Sequence, residues 1–151
     1  IQSNRIENSC LVLDDCAGIY VHGPDMNTVI RDNFVNNSMG NVAGKGPGYE
    51  YTQAQGIYLD GGTSKVTATA NVVINADHGV QVHSANTNDV TDNRLYLNRK
   101  YQIWLQETSA SIRSTGDVFL NRILRNHMVP SDAVPSVLLQ SAIAGTDRFG
   151  T

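Results

Sequence analysis

Gly56-Ile57-Tyr58-Leu59-Asp60-Gly61-Gly62-Thr63-Ser64-Lys65-Val66-Thr67 is the stretch on which the reading of this chain turns. Ile57 and Leu59 alternate with Tyr58 and Asp60, the period of a strand with one apolar face. Gly61 to Ser64 breaks the strand with turn-forming residues, and Val66-Thr67 begins another. The pattern returns at Gly18-Ile19-Tyr20-Val21-His22 and at Gly79-Val80-Gln81-Val82-His83. Without the glycine it continues at Gln102-Ile103-Trp104-Leu105-Gln106 and Ser136-Val137-Leu138-Leu139-Gln140. Gly56 to Gly79 and Gly79 to Gln102 are each 23 residues, whereas Gly18 to Gly56 is 38 and Gln102 to Ser136 is 34. A fixed period of this length is the mark of a stacked repeat.

Each such strand is followed by a second submotif. It reads Val29-Ile30-Arg31-Asp32-Asn33-Phe34-Val35-Asn36, then Val66 to Asn75, then Val90-Thr91-Asp92-Asn93-Arg94-Leu95-Tyr96-Leu97-Asn98, and more weakly Ile112 to Asn121. Asn4 to Asn8 reads as the tail of an earlier coil. One coil of about 23 residues cannot bury its own apolar side, but stacked coils pair in parallel and share one core. The fold expected is therefore all-β: a right-handed parallel β-helix of about five coils. A leucine-rich repeat has a similar period but needs Leu where Val and Ile stand here. Asn at the corners fits twice, because it tolerates left-handed backbone and can ladder with the Asn of the next coil. The two long spacings predict inserted loops at about 39–55 and 122–135.

With 40% hydrophobic and 17% charged residues the chain is not of disordered composition. A net charge of −3 and no basic cluster argue against nucleic acid. No apolar stretch is long enough for a membrane span. The repeat is already under way at Ile1, and neither end carries an amphipathic cap. The chain, residues 1–151, is thus expected to be one β-helix segment from a longer protein, or one that self-associates through its ends. Cys10 and Cys16 fit either a disulfide in an exported protein or two buried thiols. Asn36-Asn37-Ser38 matches the glycosylation triplet, a short and common pattern.

The run from Gly56 to Val73 resembles the repeats of the pectate-lyase-like superfamily of right-handed parallel β-helix proteins, nearest to those of alginate lyases, chondroitinase B-like lyases and mannuronan epimerases. The likeness extends from Asn4 to about Gln140. It implies a secreted or cell-surface protein with a polysaccharide partner, acting by lyase-type β-elimination or related chemistry on a uronic-acid-containing chain. The alternative is a non-catalytic carbohydrate-binding or structural segment of the adhesin or tailspike kind. The paired-Asp and Gly-His-Gly pattern of polygalacturonases is absent, as are the Asp-Pro-His-Glu stretch of mannuronan epimerases and a Lys/Arg pair of the chondroitinase B type. Those departures put the reaction in doubt, since one fold serves many activities.

Strand alternation places the candidate site. If Ile and Val of each Gly-Ile-x-Val-x strand point inward, one outward column is Tyr20, Tyr58, Gln81, Trp104 and Leu138. The next is His22, Asp60, His83, Gln106 and Gln140. Tyr20, Tyr58 and Trp104 are expected to stack on sugar rings, with Gln81 and Gln106 beside them. His22, Asp60 and His83 are the expected proton-transfer groups, with Asp60 raising the pKa of both imidazoles. A uronic carboxylate also needs a cation, and Lys65, Arg99 and Lys100 lie in nearby turns. The first inserted loop brings Lys45, Tyr49, Glu50 and Tyr51 toward this face, and the second brings Arg122, Arg125 and His127 to its edge. The competing expectation is a solvated polar ladder under tolerated loops, with His78 a turn residue. No cofactor is expected. His22 and His83 stand roughly 9.6 Å apart, two interstrand spacings, too far to share a metal without leaning. Calcium is the one ion left open: Asp14-Asp15 could form a calcium corner, although the sequence gives no full set of oxygen ligands.

Overall fold

In the computed structural model, the structure describes residues 1–24, 27–44, 52–108, 117–131 and 135–140. Among them the strands follow in order: β1 (Arg5–Glu7), β2 (Cys16–Val21), β3 (Val29–Arg31), β4 (Phe34–Asn36) and β5 (Ala54–Leu59). Next come β6 (Thr67–Thr69), β7 (Val72–Ile74), β8 (His78–His83), β9 (Asp89–Thr91) and β10 (Arg94–Tyr96). The last are β11 (Tyr101–Gln106), β12 (Arg122–Leu124), β13 (His127–Val129) and β14 (Val137–Gln140). They form three all-parallel sheets. The front sheet, of long strands, runs β2-β5-β8-β11-β14. The side sheet runs β3-β6-β9-β12, and the back sheet β1-β4-β7-β10-β13. The chain visits front, side and back in turn and then returns one strand further along, which is a parallel β-helix.

The core follows from the pattern. Ile57, Leu59, Val80, Val82, Ile103 and Leu105 of the front sheet meet Ile30, Ala68 and Val90 of the side sheet and Val35, Val73 and Leu95 of the back sheet. Eleven of these twelve side chains are fully buried, at 0% exposure, and Leu105 is 5% exposed. A Cβ on Gly56 would overlap Val73 Cγ1 and stand 2.9 Å from Gly79 O. Gly56 therefore faces inward together with Ile57, and alternation shifts by one residue there. In the fourth coil Gln102 takes the glycine's place. Its buried amide exchanges hydrogen bonds with Asn98, at 2.6 Å and 3.2 Å.

The expected asparagine ladder is present where the side sheet turns into the back sheet. Asn4, Asn33, Asn71, Asn93 and Asn126 link side chain to side chain, each bond 2.9 Å. Each of Asn71, Asn93 and Asn126 also donates to a side-sheet carbonyl of the coil before. A second ladder joins Asn88 to Asn121 at the front-to-side corner. In the main ladder the two roles assigned to Asn are separate, whereas Asn8 and Asn37 combine them, left-handed and bonded side chain to side chain at 2.7 Å. The left-handed residues beside the first ladder are Ser3, Asp32, Ala70, Asp92 and Arg125, each just before its Asn. Asn8, Asn37 and Asn75 are themselves left-handed, at the back-to-front corner.

The inserted segments need correction. Arg122–Leu124 and His127–Val129 are regular strands paired with β9 and β10, so 122–135 is not an insertion. The extra residues of that coil lie between Gln106, paired with His83, and Asn121, laddered to Asn88. The weak submotif at Ile112 to Asn121 is displaced for the same reason: its true counterpart begins at Asn121. The first insertion ends at Gln53, because Ala54 already pairs with Cys16. A shorter one, between β1 and β2, holds the Cys10–Cys16 disulfide.

Asn71→Ala is expected to destabilise the chain by about 1–3 kcal/mol for each buried partner it leaves unsatisfied, read as a lower midpoint in urea. Gly56→Val should cost a similar amount, about 1–3 kcal/mol, through overpacking against Val73.

Candidate functional site

The two outward columns are in register. Tyr20, Tyr58, Gln81, Trp104 and Leu138 are consecutive cross-strand partners, and so are His83, Gln106 and Gln140. They are less open than alternation predicts. Tyr20 is 49% exposed, but Tyr58, Gln81 and Trp104 are 4%, 1% and 6% exposed. Gln81 is bonded on both sides, accepting from Gln55 and donating to Gln106 at 2.7 Å. A flat, solvent-facing sugar platform is thus confined to Tyr20.

The shift of alternation at the glycines adds a third outward column that the sequence reading missed: Gln55, His78 and Tyr101. His78 is no turn residue but the first residue of β8, 1% exposed, its ring 4.7 Å from that of Trp104 and 5.6 Å from that of Tyr101. These rings, with Gln53, Lys100 and Leu138, line a pocket of about 300 Å³. The signal that could have found it was the Gly-Ile pair, two inward positions in succession.

The polar centre lies at the C-terminal ends of β5 and β8. Tyr20 Oη donates to Asp60 Oδ2 at 2.5 Å, and His83 Nδ1 lies 2.8 Å from Asp60 Oδ1. Tyr58 Oη is 3.2 Å from the same Nδ1. Burial alone would raise the pKa of Asp60. The hydrogen bonds from His83, Tyr20 and the Gly61 amide outweigh it and hold the carboxyl at about 2. Burial, followed by the nearby charge of Asp60, pushes both tyrosine hydroxyls well above their ordinary range. An ionised carboxylate can only accept, so Nδ1 carries the proton and the free lone pair of His83 is on Nε2. That Nε2 is buried with no hydrogen-bond partner, as are Trp104 Nε1 and Gln55 Oε1 on the same face. Buried polar atoms without partners are uncommon and call for an explanation.

Other expected members fall elsewhere. His22 is exposed and makes a ring contact with Tyr20, centroids 6.5 Å apart, without a hydrogen bond to Asp60. Its column position is right, but the turn after β2 carries the ring away. Arg122 is on the side sheet against Asp89, Arg125 pairs with Asp92, and His127 is on the back sheet beside Tyr96. None of these three walls the front face. Arg99 is engaged by Asp77 and Thr52, whereas Lys100 lines the pocket and donates to the neutral carbonyl of Thr52. Lys65 is exposed at the front-to-side corner. Lys45, Tyr49, Glu50 and Tyr51 lie outside the described residues. Asp14 Oδ1 accepts the Gln53 amide at 2.6 Å and so anchors the end of the first insertion.

Residues 1–132 match the sequence profile of a family described as periplasmic copper-binding protein (NosD). The chain belongs to the NosD family. Membership agrees with the right-handed parallel β-helix read from the repeat. Neither the curated proteins nor the solved structures contain a match. Copper is held by converging imidazole, thiolate or thioether groups. Among the described residues of this NosD-family chain no three His, Cys, Asp or Glu side chains converge, and both cysteine sulfurs are bonded to each other.

Asp60→Asn is expected to lower the melting temperature at neutral pH. A depressed carboxylate pKa contributes stability above its ordinary value of 3.8 that is lost as pH falls toward about 2. The gap between Asp60→Asn and the parent chain should therefore close over that interval in a pH series of melts.

Proposed function

We propose that the chain binds a uronic-acid-containing polysaccharide on the outer face of the front sheet and abstracts the proton beside the uronic carboxylate, as a lyase does. The observation that carries this reading is the Asp60–His83 pair, with Nε2 free of protein partners, on the same face as an aromatic pocket with a lysine in its wall. The pocket of Trp104, Tyr101, His78 and Lys100 lies toward the other end of the strands from His83, where it would take a neighbouring sugar of the same chain. The His83 side chain keeps 21% exposure although Nε2 itself is buried, so proton abstraction requires the substrate to uncover that atom.

The chemistry then runs on this chain's own groups. Asp60 holds Nδ1–H, and Tyr20 holds Asp60. His83 Nε2 takes the proton next to the carboxylate. The C–H electron pair forms the new double bond as the bond to the glycosidic oxygen breaks. Tyr58, kept protonated by burial, returns a proton to the departing oxygen. General-base help of this kind contributes about 10²–10⁴-fold. The Cys10–Cys16 disulfide and the periplasmic description of the family support a place of action outside the cytoplasm. No described helix is long and apolar enough to cross a membrane.

A second reading is glycan binding without chemistry. The burial of Tyr58 and the engagement of Arg99 by Asp77 favour it. Trp104 is the sole tryptophan, so its fluorescence reports the pocket directly. Alginate, polygalacturonate and chondroitin should quench or shift that emission, and Tyr101→Ala should weaken the effect about tenfold or more. Turnover should generate the ultraviolet absorbance of an unsaturated uronate. His83→Ala should remove that absorbance by about 10²-fold or more while leaving the fluorescence response. Binding without absorbance would leave only the second reading, and silence of the emission toward every glycan would remove both.

A further inference from the structure

Buried polar atoms without a protein partner stand toward both ends of the front-sheet strands. His83 Nε2 is at the C-terminal end of β8. Trp104 Nε1 and Gln55 Oε1 belong with the other end, where the Trp104 ring lies 4.7 Å from that of His78 and Gln55 is the cross-strand partner of His78. Between the two ends the face is closed. Gln55, Gln81 and Gln106 pass side-chain hydrogen bonds from coil to coil, and Gln81 has both its amide oxygen and its amide nitrogen used. A ligand on this face meets unsatisfied groups at two places, with a bonded floor between them.

The far place is built before any ligand arrives. Asp14 Oδ1 accepts the Gln53 amide at 2.6 Å, and Gln53 O accepts from Asp15 N–H at 2.8 Å. Arg99 and Lys100 hold Thr52 by its hydroxyl and its carbonyl respectively. The rings of His78, Tyr101 and Trp104 pack against one another, with centroids 4.7 Å, 5.6 Å and 6.0 Å apart. Preformed, mostly apolar concavities with a few polar groups are where ligands bind.

Distance decides what uses both places. Trp104 is in register with Gln81, which precedes His83 by two residues, roughly 7 Å along the strand. Tyr101 is in register with His78, which precedes His83 by five residues, roughly 16 Å. One sugar ring is smaller than an indole, so a sugar at His83 leaves the far wall of the pocket empty.

We propose that the substrate is a uronate chain laid along β8 and β11, with the sugar beside the reacting one over Trp104 and a further sugar against Tyr101 and His78, so that turnover rises steeply with chain length. This rests on the lyase reading of His83 and adds to it the course and length of the chain. The other course, up the stack of coils toward Tyr20 and His22, meets the Tyr20–Asp60 hydrogen bond and an exposed imidazole instead of a concavity. Binding energy from remote sugars speeds a reaction when it offsets a cost at the reacting centre. Here that cost is the uncovering of buried His83 Nε2. Sugars held in the pocket fix the chain so that the reacting uronate presses on the His83 edge.

The experiment gives the folded chain oligomers of alginate, polygalacturonate and chondroitin, each from dimer to hexamer. kcat/KM is read from the ultraviolet absorbance of the unsaturated product. On the polymer that turns over, the hexamer should exceed the dimer by about tenfold or more, with most of the gain present at the tetramer. Tyr101→Ala should bring the ratio of hexamer to dimer close to unity, and Tyr101→Phe, which keeps the ring, should restore it. His22→Ala and Arg122→Ala should leave the ratio as in the parent chain. A ratio near unity in the parent, a ratio kept by Tyr101→Ala, or a ratio lost in His22→Ala would each overturn the inference, while the turnover itself would leave the lyase reading standing. No absorbance from any oligomer would remove that reading and this inference with it.

Discussion

Everything in this molecule depends on parallel coils repeating at one interstrand spacing, and the buried asparagine ladder enforces that spacing. An amide buried in the core is costly unless both its ends are satisfied. Here each ladder oxygen accepts from the side chain and the backbone of the coil before, and the nitrogen finds the next oxygen or a carbonyl. Those bonds can form only when adjacent coils are in register. Register in turn aligns the front-sheet columns, so the contact of Tyr20, Asp60 and His83 follows from asparagines on the far side of the core.

The fold was legible because a period of 23 residues and inward Ile and Val are visible without tertiary information. The columns were legible too, since register carries Tyr20 to Tyr58, Gln81 and Trp104. Two things were not. The inward Gly56-Ile57 pair breaks strict alternation, so His78 and Tyr101 reach the outer face and make a pocket there. The site of the second insertion was also hidden. The prolines after His127 drew attention to the wrong half of the coil, while Arg122 and His127 keep strand register through short motifs that resemble turns.

Electrostatics divides the expected cations into two groups. Arg99 is committed to the fully buried Asp77, which also accepts the Ala54 amide and so ties the first insertion to the helix. Lys100 donates to the Thr52 carbonyl and lies in the pocket wall. Two adjacent residues of one turn thus serve different ends, one for architecture and one for the face.

The inward glycine has a wider consequence. The core of each coil is complete without any outward side chain, so the front face is a grid laid over it, its neighbouring cells joined by bonds between coils. Rows are coils and columns are strand positions. The glycine enlarges that grid by one column without lengthening the coil. A family built on such a grid can keep one scaffold while its members differ widely in what they hold.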